Sequence, residues 1–242
     1  EHYIVETLNK YKVDNYIPTV SFSGGKDSSV VSRLVMDALQ DNSVIHMFGD
    51  TTLEFKETYT YVTEMFRREN PRVPMIPSET ENDFFKLCKV FGPPSQHERW
   101  CCTIFKTSNL NKEYENLPGN SLTFLGIRHS ESVARAGYDR TQETSKISSQ
   151  VNAMPIIEWT DYDVWLYILT TGIDFNEAYR LGWTRVGCWC CPNNGGWSEF
   201  LAKVHMYDQY VHWHDLLVDF AKQIGKPDPE NYIDSGGWKA RQ

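Results

Sequence analysis

Two groups of residues have the types and spacing to do chemistry. The first is Ser21-Phe22-Ser23-Gly24-Gly25-Lys26-Asp27-Ser28. The apolar run from Tyr16 to Phe22 predicts a strand, Ser23-Gly24-Gly25 a turn, and Val30 to Leu39 a helix by its apolar spacing. A strand, a glycine turn and a helix N-terminus gather backbone N–H groups around an anion, and paired glycines let a phosphate approach. Lys26 adds a compact positive charge for phosphate oxygens. The adjacent glycines exclude a Walker P-loop, which separates its first glycine from Gly-Lys-Ser/Thr by four residues.

The second group is cysteine. Five of the six cysteines fall in two tight clusters, Cys101-Cys102 and Cys188-x-Cys190-Cys191. Such clusters read as ligands rather than disulfides in a chain expected to be cytoplasmic. Cys101, Cys102, Cys188 and Cys191 supply four thiolates, which suits zinc or an iron–sulfur cluster. Two neighbouring side chains strain to hold one tetrahedral ion but can ligate two irons of a cubane, which favours [4Fe–4S] with zinc as the alternative. Cys190 is a substitute ligand or a free thiol beside the site, and Cys88 is expected in the core, on the apolar side of its helix. Arg128 and Arg135 are candidates for bidentate pairing with phosphate or sulfate oxygens.

The elements that must position these groups alternate. A lead-in helix is expected over 1–12, a second strand over Val44 to Phe48, and a helix from Glu57 to Arg68. Asp41-Asn42-Ser43 should break the phosphate helix. Val73 to Pro77 is too proline-rich for a central strand. Asp83 to Phe91 reads as helix, Leu122 to Ile127 as a buried strand, and Gly137 to Ser149 as a mobile polar loop. Thr160 caps a helix from Asp161 to Leu169, and one long tail helix runs from Ser198 to about Ile224. Asp161 reads as a first-turn charge favourable to its helix dipole. The fold class is α/β, a doubly wound and mostly parallel sheet. Residues 1–192 form the nucleotide-binding domain with the cysteine site, and 193–242 a helical extension packed on it. Asp50 and Thr51 end the second strand on the same rim as the glycine turn.

A net charge of −8 gives no general basic footprint for nucleic acid, leaving only a local groove or a partner's surface. There is no apolar run long enough to span a bilayer, so no membrane partner is expected. The sequence opens on Glu1 rather than Met and reads as a trimmed piece, so a missing leader carries little weight.

Several stretches together resemble one family. Ser23-Gly24-Gly25-Lys26-Asp27-Ser28 matches the PP-loop of ATP pyrophosphatases, which break ATP between its α- and β-phosphates. Asp50-Thr51-Thr52 with Phe55, Glu57 and Thr58 resembles the adenosine-pocket segment of sulfonucleotide reductases, with Thr52 in place of the usual glycine. Gly126-Ile127-Arg128, Ser132 and Arg135-Ala136 resemble their arginine loop, and Pro155 to Trp165 their Pro-Leu-x-x-Trp-Thr-x-x-Asp-Val-Trp segment. The cysteine doublet followed by Cys-x-x-Cys is similar to the [4Fe–4S] site of adenylyl-sulfate reductases, and Lys106 stands where those enzymes link cluster and nucleotide. The resemblance is to the phosphoadenosine-phosphosulfate reductase-like family of PP-loop proteins, with its Rossmann-like adenine nucleotide alpha-hydrolase fold.

The resemblance implies an enzyme that binds ATP and Mg²⁺. Ser21, Ser23, Gly24, Gly25, Lys26, Asp27 and Ser28 would cradle phosphates, Asp50 and Thr51 the ribose or metal, and Gly126, Arg128 and Arg135 the α-phosphate and acceptor. Lys26, Arg128 and Lys106 are the candidate catalytic residues. Family reductases attack sulfur with a C-terminal-tail cysteine and usually lack the PP-loop lysine. This sequence has no cysteine after Cys191, so the tail was removed, the nucleophile lies elsewhere, or the chain is no such reductase; Lys26 favours adenylation with pyrophosphate release over sulfite-releasing reduction. A non-catalytic nucleotide-binding subunit is the third reading. Similar combinations occur in enzymes of DNA phosphorothioate modification and tRNA thiolation. The acceptor and sulfur donor are open, and a protein partner or homodimer is compatible with every reading.

Overall fold

The computed structural model describes residues 1–12, 14–40, 44–143 and 149–240. Its centre is a six-stranded sheet in the order β3-β2-β1-β4-β6-β5. The strands are β1 (Ile17–Ser21), β2 (Ile45–Gly49), β3 (Met75–Ser78), β4 (Ser121–Phe124), β5 (Thr141–Gln142) and β6 (Gln150–Ala153). All neighbours are parallel except the β5–β6 pair. The chain first builds outward from β1 through β2 to β3, then returns to place β4 on the other side of β1. This is the switch point at which open α/β sheets bind ligands beyond their strand ends. The residues following β1 and β4 are the glycine turn and Gly126–Arg128.

Proline places β3 at an edge, where Pro77 costs no central ladder bond. The central strands carry hydroxyls as well as apolar groups. Thr19 shares hydrogen bonds with Ser121 (2.7 Å) and Thr123 (2.9 Å), and Gln150 Nε2 donates to Thr123 at 2.7 Å. Each of the three hydroxyls is paired, and the bonds tie β1, β4 and β6 together.

The predicted helices form with small boundary shifts, at His2–Lys12, Lys26–Leu39, Phe84–Phe91 and Asp161–Thr171. The third helix is continuous through Lys56–Thr60, a wider π-helical turn at Tyr61–Met65, and Phe66–Glu69. Trp100–Cys102, a second π-helical turn at Thr103–Thr107 and Ser108–Glu115 form a helix not anticipated from the sequence. The tail is two helices, Gly196–His205 and Tyr207–Gln223, rather than one. Met206 takes φ −134° between them, outside helical range, and a short helix at Pro229–Asp234 follows the second. The supposed loop over 137–149 contains edge strand β5; its central part, and the breaker at 41–43, lie outside the described residues.

Among the described residues two large apolar cores form, beside a small cluster of Met47, Leu110 and Tyr114. One lies around the sheet and includes Val20, Phe22, Val31, Leu122 and Ile156, with Trp159, Trp165 and Tyr167 packed against it. The other joins Phe55, Phe84 and Phe105 to Trp183 and Trp189 and to Leu201, Trp213 and Trp238 of the tail. The tail helices therefore close the core beneath the cysteine segments. No helix among the described residues is long and apolar enough to cross a membrane.

His46 is fully buried in β2, bonded to Ser32 Oγ at 2.7 Å and Val44 O at 2.9 Å. Burial pushes its pKa down from 6.5 to about 4, so the unfolded chain binds the extra proton between those values. Its contribution is complete above pH 6.5 and is lost as pH falls through that window, reaching about 3 kcal/mol of destabilisation. Urea midpoints measured from pH 7 to 4 should fall more steeply for the native chain than for His46→Gln. Parallel curves would contradict this.

Candidate functional site

The glycine turn is built by close approach. Gly24 has φ +69°, and a Cβ there would lie 2.8 Å from Val62 Cγ2. The helix starts at Lys26 with Gly25 as its cap residue, and no side chain caps it. Ser28 Oγ instead donates to Gly25 O at 2.8 Å and accepts from Ser23 N at 3.2 Å, holding the turn closed. Ser23 is exposed at the mouth, and Ser21 is half-buried in β1 beside Met47 of β2. Gly126 sits so close behind that a Cβ would lie 2.8 Å from the Asp27 carbonyl carbon and 2.9 Å from Ser28 N. That contact brings the end of β4 onto the helix start.

Arg128 follows from it. Arg128 Nε donates to Asp27 Oδ1 at 2.6 Å, one terminal nitrogen to Ser130 Oγ at 3.1 Å and the other to Asp161 Oδ1 at 3.1 Å. Lys26 Nζ lies 3.3 Å from Asp27 Oδ2 and 3.0 Å from the same Asp161 Oδ1. Two cations, 6% and 5% exposed, thus meet one carboxylate oxygen from outside. The Asp161 helix also points its N-terminus there, capped by the reciprocal Thr160–Asp163 bonds. Two helix N-termini and two buried cations converge here, with Asp27 and Asp161 as the anions that balance them. The sequence reading gave Asp161 only its dipole role; its partners lie 135 and 33 residues away, and no local pattern signals them.

Segment 176–191 covers the turn, and no local motif marks Asn176 or Tyr179 in its first part. Asn176 Nδ2 donates to Gly24 O (3.1 Å) and Thr58 Oγ1 (2.9 Å). Lys26 N donates to the Tyr179 hydroxyl at 3.0 Å, and Lys26 Nζ lies 5.5 Å from that ring's centre. Burial raises the pKa of the Tyr179 phenol, so it stays neutral with its own proton to donate.

The same segment continues into the cysteines. Thr51 is buried, bonding Glu54 Oε1 at 2.9 Å and lying 3.3 Å from Cys188 Sγ. Thr51 therefore faces the thiols rather than the turn. Asp50 Oδ1 accepts from Thr52 N and from the Tyr59 hydroxyl, each at 2.7 Å. Arg135 is paired with Glu131 and is not brought to the turn. Lys106 is exposed over Gly49, at the end of β2, and its charge acts on Glu54 and Cys188. Phe105 is buried in the second core.

Cys101 lies within electrostatic range of Cys102, Cys188 and Cys191, and Cys188 within range of Cys191. The bond to Cys102, burial and the other thiols raise the pKa of Cys101, and burial pushes that of Cys188 up to about 12. Cys101 and Cys188, set beside further thiols, resist ionising unless a cation compensates them, which is the donor chemistry of a thiolate-bound metal. No group of three or more His, Cys, Asp or Glu side chains in single-ion geometry occurs among the described residues. Cys190 and Cys88 are core thiols, the former with its pKa well raised by burial and the latter at about 12. An open cavity of about 670 Å³ lies beside this region, lined by Glu54, Tyr59, Phe85, Trp189 and His212 among others.

Thr52, at the cavity edge, has φ +62°. A β-branched residue there is strained by about 1–2 kcal/mol. Thr52→Gly should raise stability by about 0.5 kcal/mol, the relief exceeding glycine's entropy cost. A higher thermal midpoint would bear this out, and a lower one would mean that the Thr52 side chain contributes more than its strain.

Comparison with known proteins identifies the family and the fold. Residues 17–194 match the phosphoadenosine phosphosulfate reductase domain. Two uncharacterised proteins of Methanocaldococcus jannaschii are 34% and 32% identical over 91% and 96% of this chain. The chain spans about half the length of those relatives, 45% and 53%. An adenosine 5'-phosphosulfate reductase of Bacillus subtilis is 26% identical over 78% of each chain. In fold, the chain resembles phosphoadenylyl-sulfate reductase from Candida auris (TM-score 0.54, 19% identity, 77% of this chain and 95% of that one). It also resembles the FMN adenylyltransferase of Candida glabrata (TM-score 0.52, 19% identity, 76% and 57%). The matched span runs from β1 through the second cysteine cluster and takes in the glycine turn, the arginine loop and both cysteine segments, so the chain belongs to the phosphoadenosine phosphosulfate reductase domain family.

Proposed function

We propose that this chain binds ATP with Mg²⁺ and cleaves it at the α-phosphate in sulfur-related chemistry. One observation carries the reading: Lys26 Nζ and the Arg128 guanidinium converge on one point, 3.0 and 3.1 Å from a shared oxygen, at the sheet's switch point. On this reading Lys26, at the helix start, would hold the β- and γ-phosphates, and Arg128, after β4, the α-phosphate. An acceptor oxygen forms a bond to the α-phosphorus while the bridge to the β-phosphate breaks. Pyrophosphate leaves with the bridging electron pair, its charge balanced by Lys26, backbone N–H groups and the Mg²⁺ that arrives with ATP. Tyr179 has a phenolic proton to offer a phosphate oxygen.

Cys101, Cys102, Cys188 and Cys191 would hold the [4Fe–4S] cluster, their donor chemistry fitting it, with zinc as the alternative ion. Bound there, a cluster would supply fixed charge and a one-electron reservoir. Thr51 and Lys106 are this chain's own groups on that side, the one against Cys188 and the other acting on it.

A second reading is supported by the relatives named as adenosine 5'-phosphosulfate reductases. On it the same pocket takes a sulfonucleotide and the product is sulfite. Lys26 argues for the first reading, because a lysine at a glycine turn answers a leaving pyrophosphate, which sulfonucleotides lack.

Anaerobically purified protein given ATP, with pyrophosphate measured, separates the two when adenylyl sulfate with a dithiol is run in parallel for sulfite. Lys26→Ala should lower pyrophosphate release at least about 100-fold, the weight of one transition-state donor. Unchanged release would remove Lys26 from the phosphate role. Cys102→Ser should lose bound iron and visible absorbance; a full complement of iron would exclude Cys102 from the ligand set.

A further inference from the structure

The phosphate spot already contains an anion, and that anion belongs to the protein. Asp161 Oδ1 lies 3.0 Å from Lys26 Nζ and 3.1 Å from the Arg128 guanidinium. Both cations have a second, more enclosed partner in Asp27, at 3.3 and 2.6 Å. Asp27 is 17% exposed and Asp161 61%, so Asp161 approaches from the solvent side, the direction from which a dissolved anion arrives. Its carboxylate is not needed to start its helix, because Thr160 and Asp163 cap that helix reciprocally. Nor would its departure orphan the cations. Arg128 keeps Asp27 and Ser130, and Lys26 keeps Asp27.

We propose that Asp161 is an internal stand-in for a substrate phosphate oxygen, which a polyphosphate must displace from Lys26 and Arg128 in order to bind. With Asp161 in place, two positive and two negative side chains cancel, so a weakly charged ligand gains little by entering. A ligand with two adjacent phosphates can replace the carboxylate at both cations at once. Asp161 thus sets a charge threshold and selects for a polyphosphate chain over a single anionic group. This deepens the nucleotide reading and rests on it for the identity of the displacing ligand.

The test titrates inorganic pyrophosphate, ATP and adenosine, all without Mg²⁺, into the native chain and into Asp161→Asn and Asp161→Ser, with thermal midpoints as the fold check. Both variants should bind pyrophosphate and ATP about tenfold more tightly, the weight of the displaced ion pairs, with adenosine unchanged. The dependence on salt should steepen as the site gains net positive charge. Asp161→Glu should restore the weaker affinity. Equal or weaker pyrophosphate binding by folded variants would overturn the proposal. So would a loss of ATP affinity seen only when Mg²⁺ is restored, which would make Asp161 a cation ligand instead. Tighter pyrophosphate binding without binding of any adenine nucleotide would support the stand-in and defeat the nucleotide reading.

Discussion

The arrangement depends on one steric contact, between the backbone at Gly126 and the first turn of the Lys26–Leu39 helix. No side chain fits there, since a Cβ on Gly126 would fall within 3 Å of the Asp27 and Ser28 backbone. Because that gap is closed, the residue two places on reaches Asp27, and Arg128 becomes a buried cation beside Lys26. Burying two cations side by side is costly unless carboxylates pair them, and Asp27 and Asp161 supply that pairing. The charge network is thus a consequence of how tightly β4 meets the helix.

A second constraint joins the phosphate end to the thiols. Segment 176–191 braces the glycine turn through Asn176 and Tyr179, and Val186 packs where a side chain on Gly25 would go. Cys188 comes next, against Thr51 at the end of β2. Displacing the turn therefore pulls on the segment that carries two of the four thiols. The tail helices hold that segment from below through Trp189, Leu201 and Trp213.

Local patterns made much of this legible in the sequence. The strand–glycine–helix order, the Thr160 cap and the paired cysteines are each written within a few neighbouring residues. So is the edge position of β3, through its proline. What the sequence hid was long-range or weakly patterned. Asp161 acquires its partners only when β4 closes on the helix. The two polar residues of β5 carry no alternation to read. The break at Met206 interrupts a continuous amphipathic pattern, and the π-helical turns shift the register of helices whose spacing looked regular. Thr51 read as a ribose contact because its strand end faces the rim, yet its side chain turns to Cys188.

The central claim is that the Ser23–Ser28 turn holds the pyrophosphate end of ATP with Arg128 at the α-phosphate. A crystal structure with the α,β-methylene analogue of ATP and Mg²⁺ tests it most directly. The account predicts β- and γ-phosphates on the backbone N–H groups and Nζ of Lys26, the α-phosphate on Arg128, and Asp161 withdrawn from both cations. An analogue bound with its phosphates away from Lys26, or with the Asp161 pairs intact, would contradict it.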